Sequence, residues 1–205
     1  MEGKHLSAKY FSQCCLLNMI LNVIIFALQI SALAVPQWFY YCYFDWGLVT
    51  LSTSKSDLKA IINSDDSYGN ANNKLCEDFK PIIDAACKGF CGDLDRIRAA
   101  GIIMMIFMIL SMIPAVMYFI VHLWLFRDKT IEHWSVYYGI WVQPLLYLIG
   151  ITIYLAVADV YGIDDTWKDS ENVSTGPGLS IGYSLIILQF ISALISYNVT
   201  IRNKS

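Results

Sequence analysis

Trp38-Phe39-Tyr40-Tyr41-Cys42-Tyr43-Phe44-Asp45-Trp46-Gly47-Leu48 opens a polar, cysteine-bearing segment, 38–98, that lies between two long apolar runs. Aromatic and β-branched residues are dense from 38 to 52, and 48–52 mixes apolar with small polar side chains, so strands of a small sheet are predicted there. The segment then gathers Cys76, Cys87 and Cys91 before Arg96 and Arg98. It pairs no nucleophile with a base and sets no metal ligands at workable spacing, which argues against an enzyme.

Outward from this segment the chain is apolar. Of its 205 residues 57% are hydrophobic and 15% charged, too apolar for a soluble domain. Four runs, 14–35, 99–125, 136–160 and 179–199, approach or exceed the roughly 20 residues a helix needs to cross hydrocarbon. The expected fold is therefore an all-α membrane four-helix bundle carrying a small extracellular β-sheet from the first outer loop. It is one integral membrane domain, 1–205, with outer loops 36–98 and 161–178. Lys4 and Lys9 precede the first run and Ala32-Leu33-Ala34 resembles a cleavage site, as in a signal peptide. The run is nevertheless longer than a signal core of roughly 7–15 residues, and Asn18, Asn22 and Gln29 interrupt it, so a retained helix is expected.

Four crossings put both termini on one side. The ends and the loop 126–135 hold Lys4, Lys9, Arg127, Lys129, Arg202 and Lys204 against Glu2, Asp128 and Glu132, whereas 159–178 holds Lys168 against Asp159, Asp164, Asp165, Asp169 and Glu171. Positive-inside reasoning then makes the termini cytoplasmic and the protein a multi-pass component of the plasma membrane. The long first loop is uninformative by that rule, but its four cysteines suit an oxidising compartment. The sequon at Asn172 falls outside and is the expected glycosylation site, while the sequon at Asn198 lies at the inner end of a helix and stays bare.

Asn18, Asn22 and Gln29 share one face of the first helix and are expected to look inward as packing glue, the alternative being a polar conduit. Cys14 and Cys15 sit at its cytoplasmic mouth, where S-palmitoylation and ordinary apolar packing are both open to them. The stretch 63–74, rich in Asn, Asp and Ser around Gly69, reads as a mobile loop tip. Phe79, Ile82, Ile83 and Ala86 recur at helical spacing behind Pro81, which predicts a short helix over 81–87. Cys42, Cys76, Cys87 and Cys91 are expected to be fully paired, and three connectivities are open. The second helix has a methionine stripe at 104, 108 and 112 and an expected kink at Pro114, and Gln143-Pro144 predicts another kink in the third. His122 and His133 have no partner ligands at metal spacing and read as structural. Gly178 and Gly182 form a close-approach motif for helix pairing. No Asp, Glu, Lys or Arg interrupts the four cores, which argues against a pump or coupled transporter.

Taken together, these residues resemble the claudin and peripheral myelin protein superfamily, including its channel-associated gamma and lipoma-fusion-partner-like branches, over nearly the whole chain. Trp38, Trp46, Gly47-Leu48 and Arg98-Ala99 stand where the family has its first-loop Trp, its Gly-Leu-Trp with paired cysteines, and its Arg before helix two. Gly178 to Tyr183 is similar to the opening of the family's fourth helix. Val49 replaces the Trp after Gly-Leu, no cysteine follows within ten residues, four outer cysteines stand in place of two, and the chain stops at Asn203-Lys204-Ser205 without a scaffold-binding motif. The resemblance implies contact through the outer loops, in cell–cell contact or membrane-domain organisation, or else an auxiliary role beside a channel or receptor. The expected partners are the lipid bilayer and other membrane proteins, itself included; no nucleic acid, metal or cofactor is expected. Trp38, Trp46, Gly47 and Leu48 are expected to anchor the sheet, leaving partner contact to exposed loop positions. Those loops carry an acidic excess, from which a basic partner or a cation-favouring path is the inference.

Overall fold

The computed structural model describes residues 8–48, 50–53, 59, 62, 66–87, 90–128, 139–158 and 174–202. The chain is mostly helical with a small antiparallel sheet. In order the elements are α1 (Ala8–Ala34), β1 (Phe39–Tyr41), β2 (Phe44–Trp46), β3 (Thr50–Thr53), β4 (Asp66–Ser67) and α2 (Tyr68–Asn72). A π-helical turn (Asn73–Asp78) follows, then α3 (Lys80–Ala86), α4 (Phe90–Asp128), α5 (Val142–Ala158), β5 (Ser174–Thr175) and α6 (Pro177–Arg202). Within α1, α4 and α6, the spans Tyr10–Ala34, Phe90–Arg127 and Pro177–Val199 are long and apolar enough to cross a membrane; α5 is a shorter apolar helix.

The chain clusters into two compact units. One comprises Met1–Ile30, Phe107–Ile149 and Tyr183–Ser205; the other comprises Ser31–Ile106 and Gly150–Gly182. The second holds the sheet, in strand order β4-β3-β2-β1-β5, every pairing antiparallel. Period-two alternation sends Phe39, Tyr41, Phe44, Trp46, Leu51 and Thr53 to the buried face, with half-exposed Tyr40, Asp45 and Ser52 between them. Both edge strands are only two residues long, which leaves little unpaired backbone for another chain to add to.

Several boundaries differ from the sequence reading, each for a local reason. The helix expected from 99 starts at Phe90, because Phe90, Leu94 and Ile97 continue a helical stripe and all three are buried. The first helix likewise begins at Ala8 rather than 14, and the last runs from Pro177 to Arg202 rather than 179–199. Of the third run, 136–160, the structure describes Val142–Ala158 as helix, following a turn at Ile140 and Trp141. Pro144 therefore lies in the first helical turn, where its missing N–H has no intrahelical partner to lose, and no kink is needed. Pro114, in contrast, sits inside the uninterrupted α4. The stretch expected as a loop tip is ordered from 66 to 74, as β4, α2 and the start of the π-helical turn. Tyr68, Ala71 and Leu75 recur at spacings of three and four and are all buried, a helical signal that the surrounding Asn and Asp masked. The short helix expected over 81–87 spans Lys80–Ala86, with Pro81 in its first turn.

Candidate functional site

The sheet unit is built around aromatic side chains. Trp38 and Trp46 are both fully buried, and each indole N–H donates to a backbone carbonyl, Trp38 to Ala32 (3.0 Å) and Trp46 to Tyr41 (2.9 Å). Burying an indole without such a partner would leave a costly orphan donor. Trp46 stacks on its cross-strand partner Phe39 at 5.7 Å and 5°, and meets Tyr68 at 5.9 Å and Phe90 at 5.5 Å. Phe44 meets Phe90 at 5.1 Å, so the N-terminal turn of α4 closes the core beneath the strands. Trp38 packs edge-on against Tyr154 at 5.2 Å.

Gly47 and Leu48 shape the connection between β2 and β3. Gly47 donates to the Thr50 carbonyl (2.9 Å) and accepts from the Tyr68 hydroxyl (2.6 Å). A side chain at Gly47 would crowd Thr50 and the Pro36 carbonyl, and one at Gly101 of α4 would run into the backbone of Leu48. The nearest neighbours of a side chain placed at Gly178 are the Trp38 ring, at 2.6 Å, and the Gln37 carbonyl. Gly178 N–H donates to that same carbonyl (2.8 Å), so this glycine seats Trp38 where helix pairing was expected; Gly182 is buried in α6. Arg98 is exposed on α4, while Arg96 pairs with Asp93 at 2.9 Å.

The four loop cysteines form Cys42–Cys87 and Cys76–Cys91, the connectivity that spacing left open. Because Tyr41 faces Phe44, the β1–β2 turn is only Cys42 and Tyr43, and both have positive φ, 51° and 70°. Two left-handed residues are what a tight hairpin twisted like its strands requires, usually at the expense of side chains. Here the bridge to Cys87 and a 2.8 Å bond from the Thr53 hydroxyl to the Tyr43 carbonyl hold the turn, and the Tyr43 ring is 38% exposed. Nothing in the sequence marked Tyr43, since a turn of this kind is normally announced by Asn-Gly or Gly. Burial pushes the Tyr41 and Tyr68 hydroxyls above the usual tyrosine range; at Tyr41 the Asp93 carboxylate, 3.4 Å away, adds to the effect.

The helical unit contains a different arrangement. Asn18, Asn22 and Gln29 are all buried, and each hydrogen-bonds to another helix. Asn18 Nδ2 lies 2.7 Å from the Ser196 hydroxyl and 3.0 Å from His122 Nε2, and Asn18 Oδ1 accepts from the Ser192 hydroxyl at 2.9 Å. Asn22 Nδ2 reaches Ser192 (3.3 Å) and its own helix at the Asn18 carbonyl (2.8 Å); Gln29 donates to Ser111 at 2.7 Å. His122 and Ser196 lie 3.3 Å apart. His122, read from the sequence as structural, is a member of this network. Ser192 and Ser196, four apart on α6, carry the spacing that a search for amides and charges passes over.

Among the described residues of this unit, several buried polar atoms have no hydrogen-bond partner: Asn22 Oδ1, Gln29 Oε1, Gln143 Nε2, the Tyr147 hydroxyl and both amide atoms of Gln189. Cys15 packs with Phe11, Leu125 and Val199, whereas Cys14 is half-buried. Met104 and Met108 of the methionine stripe are buried. Among the described residues no three His, Cys, Asp or Glu side chains are grouped to hold a metal ion. Asn198 is helical and exposed, and its amide donates to the Leu194 carbonyl; Asn172, His133 and the acids of 159–171 lie outside the described residues. No family model, curated protein or solved structure matches this chain.

Proposed function

We propose that this chain is a multi-pass plasma-membrane protein of four spanning helices, a divergent relative of the claudin and peripheral myelin protein superfamily. On this reading it acts through its outer sheet in cell–cell contact or membrane-domain organisation. One observation carries it: the aromatic stretch and residues 174–175, which belong to different outer loops, pair in one antiparallel sheet held by two disulfides. Disulfides belong to an oxidising compartment, so the sheet faces outward and the termini lie in the cytoplasm. The 17 residues of α5 sit at the lower end of the roughly 17–25 needed for a fourth crossing.

With both tryptophans buried, contact falls to exposed positions, of which Tyr43 at the hairpin tip is an aromatic held by a bridged turn. Asp164 and Asp165, part of the acidic excess of the second outer loop, lie outside the described residues. A second reading, which the resemblance equally implies, is an auxiliary subunit beside a channel or receptor. Cells expressing this protein alone separate the two. Enrichment at contacts between expressing cells supports the first reading, and surface delivery only with a co-expressed channel supports the second. Glycan mapping tests the orientation: Asn172→Gln removes the glycosylated form and Asn198→Gln leaves it, and the opposite result refutes the topology.

A further inference from the structure

Across β5, β1, β2 and β3 the register sets Ser174, Tyr40, Asp45 and Ser52 in one row on the exposed face of the sheet. All four are half-exposed or exposed, and the buried aromatics lie on the opposite face. β2 is the central strand and Asp45 its middle residue, so the one charge of the row stands at the centre of the face. Alternation asks only for a polar residue at 45, and Thr, as at 50, would suit a strand better, because Asp is depleted from strands. Among the described residues no hydrogen bond or ion pair reaches the Asp45 carboxylate, and Arg96 is taken by Asp93.

Two tyrosines flank this acid. Tyr40 is its direct cross-strand partner, a relation that brings Cβ atoms within about 4.5–5.5 Å. Tyr43 stands at the tip of the same hairpin, where Cys42 and Tyr43 hold positive φ with full side chains although a Gly pair would make the turn without strain. Cys42 is committed to its bridge, which leaves Tyr43 as the side chain this strain presents, and strain kept at a surface turn points to use of what the turn displays. Burial pushes the Tyr40 hydroxyl above the usual tyrosine range, and the Asp45 carboxylate and the Tyr43 hydroxyl add to the effect. The three polar ends therefore lie within electrostatic reach of one another.

A carboxylate between aromatic rings selects a cation, and its surroundings select which. Calcium takes roughly 6–8 oxygen ligands, whereas one carboxylate and two phenols are present. An ammonium is a strongly hydrated point charge, but a guanidinium can lay its plane on a tyrosine ring and direct its fork of N–H donors at a carboxylate. We propose that Tyr40, Asp45 and Tyr43 form an arginine-binding patch that takes a guanidinium presented by a partner protein. This rests on the contact reading above, in which the sheet faces outward, and deepens it by naming the surface and the chemistry of the partner.

The test places the full chain in nanodiscs at low ionic strength and follows the peptide acetyl-Gly-Arg-Gly-amide, with its lysine and citrulline counterparts, by saturation-transfer NMR. The arginine peptide should bind roughly three- to thirty-fold more tightly than the uncharged citrulline peptide, the sum expected of one exposed cation–π contact and one exposed ion pair. The lysine peptide should fall between them, and the preference should shrink as salt rises. Asp45→Asn should bring the arginine peptide to the citrulline level, with near-ultraviolet circular dichroism reporting that the sheet is intact. Tyr43→Asn, which suits a left-handed turn and leaves the strands alone, should remove part of the preference and keeps the test open if the first variant does not fold. Equal binding of the arginine and citrulline peptides, or a preference that survives both substitutions, overturns the proposal. Displacement of the arginine peptide by calcium at constant ionic strength overturns it in favour of an inorganic cation, and Asp45-dependent self-association without any peptide overturns it in favour of a second copy. The contact reading fails separately: an arginine preference in nanodiscs without enrichment at cell contacts sinks that reading and leaves the patch standing, whereas enrichment without the preference sinks the patch alone.

Discussion

The sheet unit and the helical unit both bury nearly everything that faces inward, but with opposite chemistry. The first packs Trp38, Trp46, Phe39, Phe44, Tyr68 and Phe90, giving each indole one backbone acceptor and closing the chain with two disulfides. The second draws Asn18, Asn22, Gln29, Ser111, His122, Ser192 and Ser196 inward and turns Ile, Leu and Val outward. Apolar burial drives folding only where the alternative is water. Where the alternative is hydrocarbon, an inward Leu gains nothing over an outward one, and amide and hydroxyl pairs hold helices together. On the membrane reading proposed above, the two interiors record two solvents, water around the sheet and lipid around the helices.

The comparison breaks most visibly at Trp46. Trp46→Ala removes a fully buried indole touching four aromatic rings and should cost about 3–5 kcal/mol, abolishing surface delivery measured by biotinylation. A delivered variant that selectively fails to bind would instead make the tryptophan the contact. Next come the bridges. Loop-closure entropy scales with the enclosed chain, 45 residues for Cys42–Cys87 and 15 for Cys76–Cys91. Paired Cys→Ser variants should lose about 4 and about 3 kcal/mol respectively. Neither should alter the far-ultraviolet helical signal of the helical unit.

Raising the pH should loosen the same unit. Tyr41 and Tyr68 keep their protons in the folded sheet well above the ordinary value of 10, so above about pH 10 the unfolded chain releases protons that the folded chain retains. The contribution is present in full below about pH 10 and is lost as pH rises past it, by about 1.4 kcal/mol per unit for each group. At pH 11 the two together should remove roughly 2–3 kcal/mol. Near-ultraviolet circular dichroism should decay before the helical signal does, and Asp93→Asn should move the Tyr41 transition to lower pH without restoring the ordinary value.

How much of this was legible in the sequence depends on whether the signal was local. Apolar run lengths marked the helices, spacings of four and seven marked the inward face of α1, and aromatic density marked β1 to β3. The register of Ser174 and Thr175 with Tyr40 and Phe39 was not, since a two-residue edge strand has no period to detect. Asn18 finds His122 across 104 positions and Ser196 across 178, partners that tertiary packing alone selects. The disulfide pairing was hidden for the same reason. Tyr68, Ala71 and Leu75 were different: their spacing was present, but polar composition around them outweighed three positions.

The smallest effect is the most discriminating. Asn18→Leu removes an amide that faces His122, Ser192 and Ser196, and in a water-surrounded core the stranded groups would each cost about 1–3 kcal/mol. Part of the network closes without it, because Ser196 remains 3.3 Å from His122 Nε2 and Asn22 Nδ2 still reaches Ser192 at 3.3 Å. In a bilayer the unfolded helix also keeps partners for its polar groups, and single interhelical bonds average about 0.6 kcal/mol with a maximum near 1.7. Asn18→Leu should therefore cost no more than roughly 2 kcal/mol by reversible unfolding in mixed micelles, less than half the expected upper cost of Trp46→Ala. A loss of 4 kcal/mol or more would mean that the helical unit is held as a soluble core is held, and the division of the molecule between two solvents would fail.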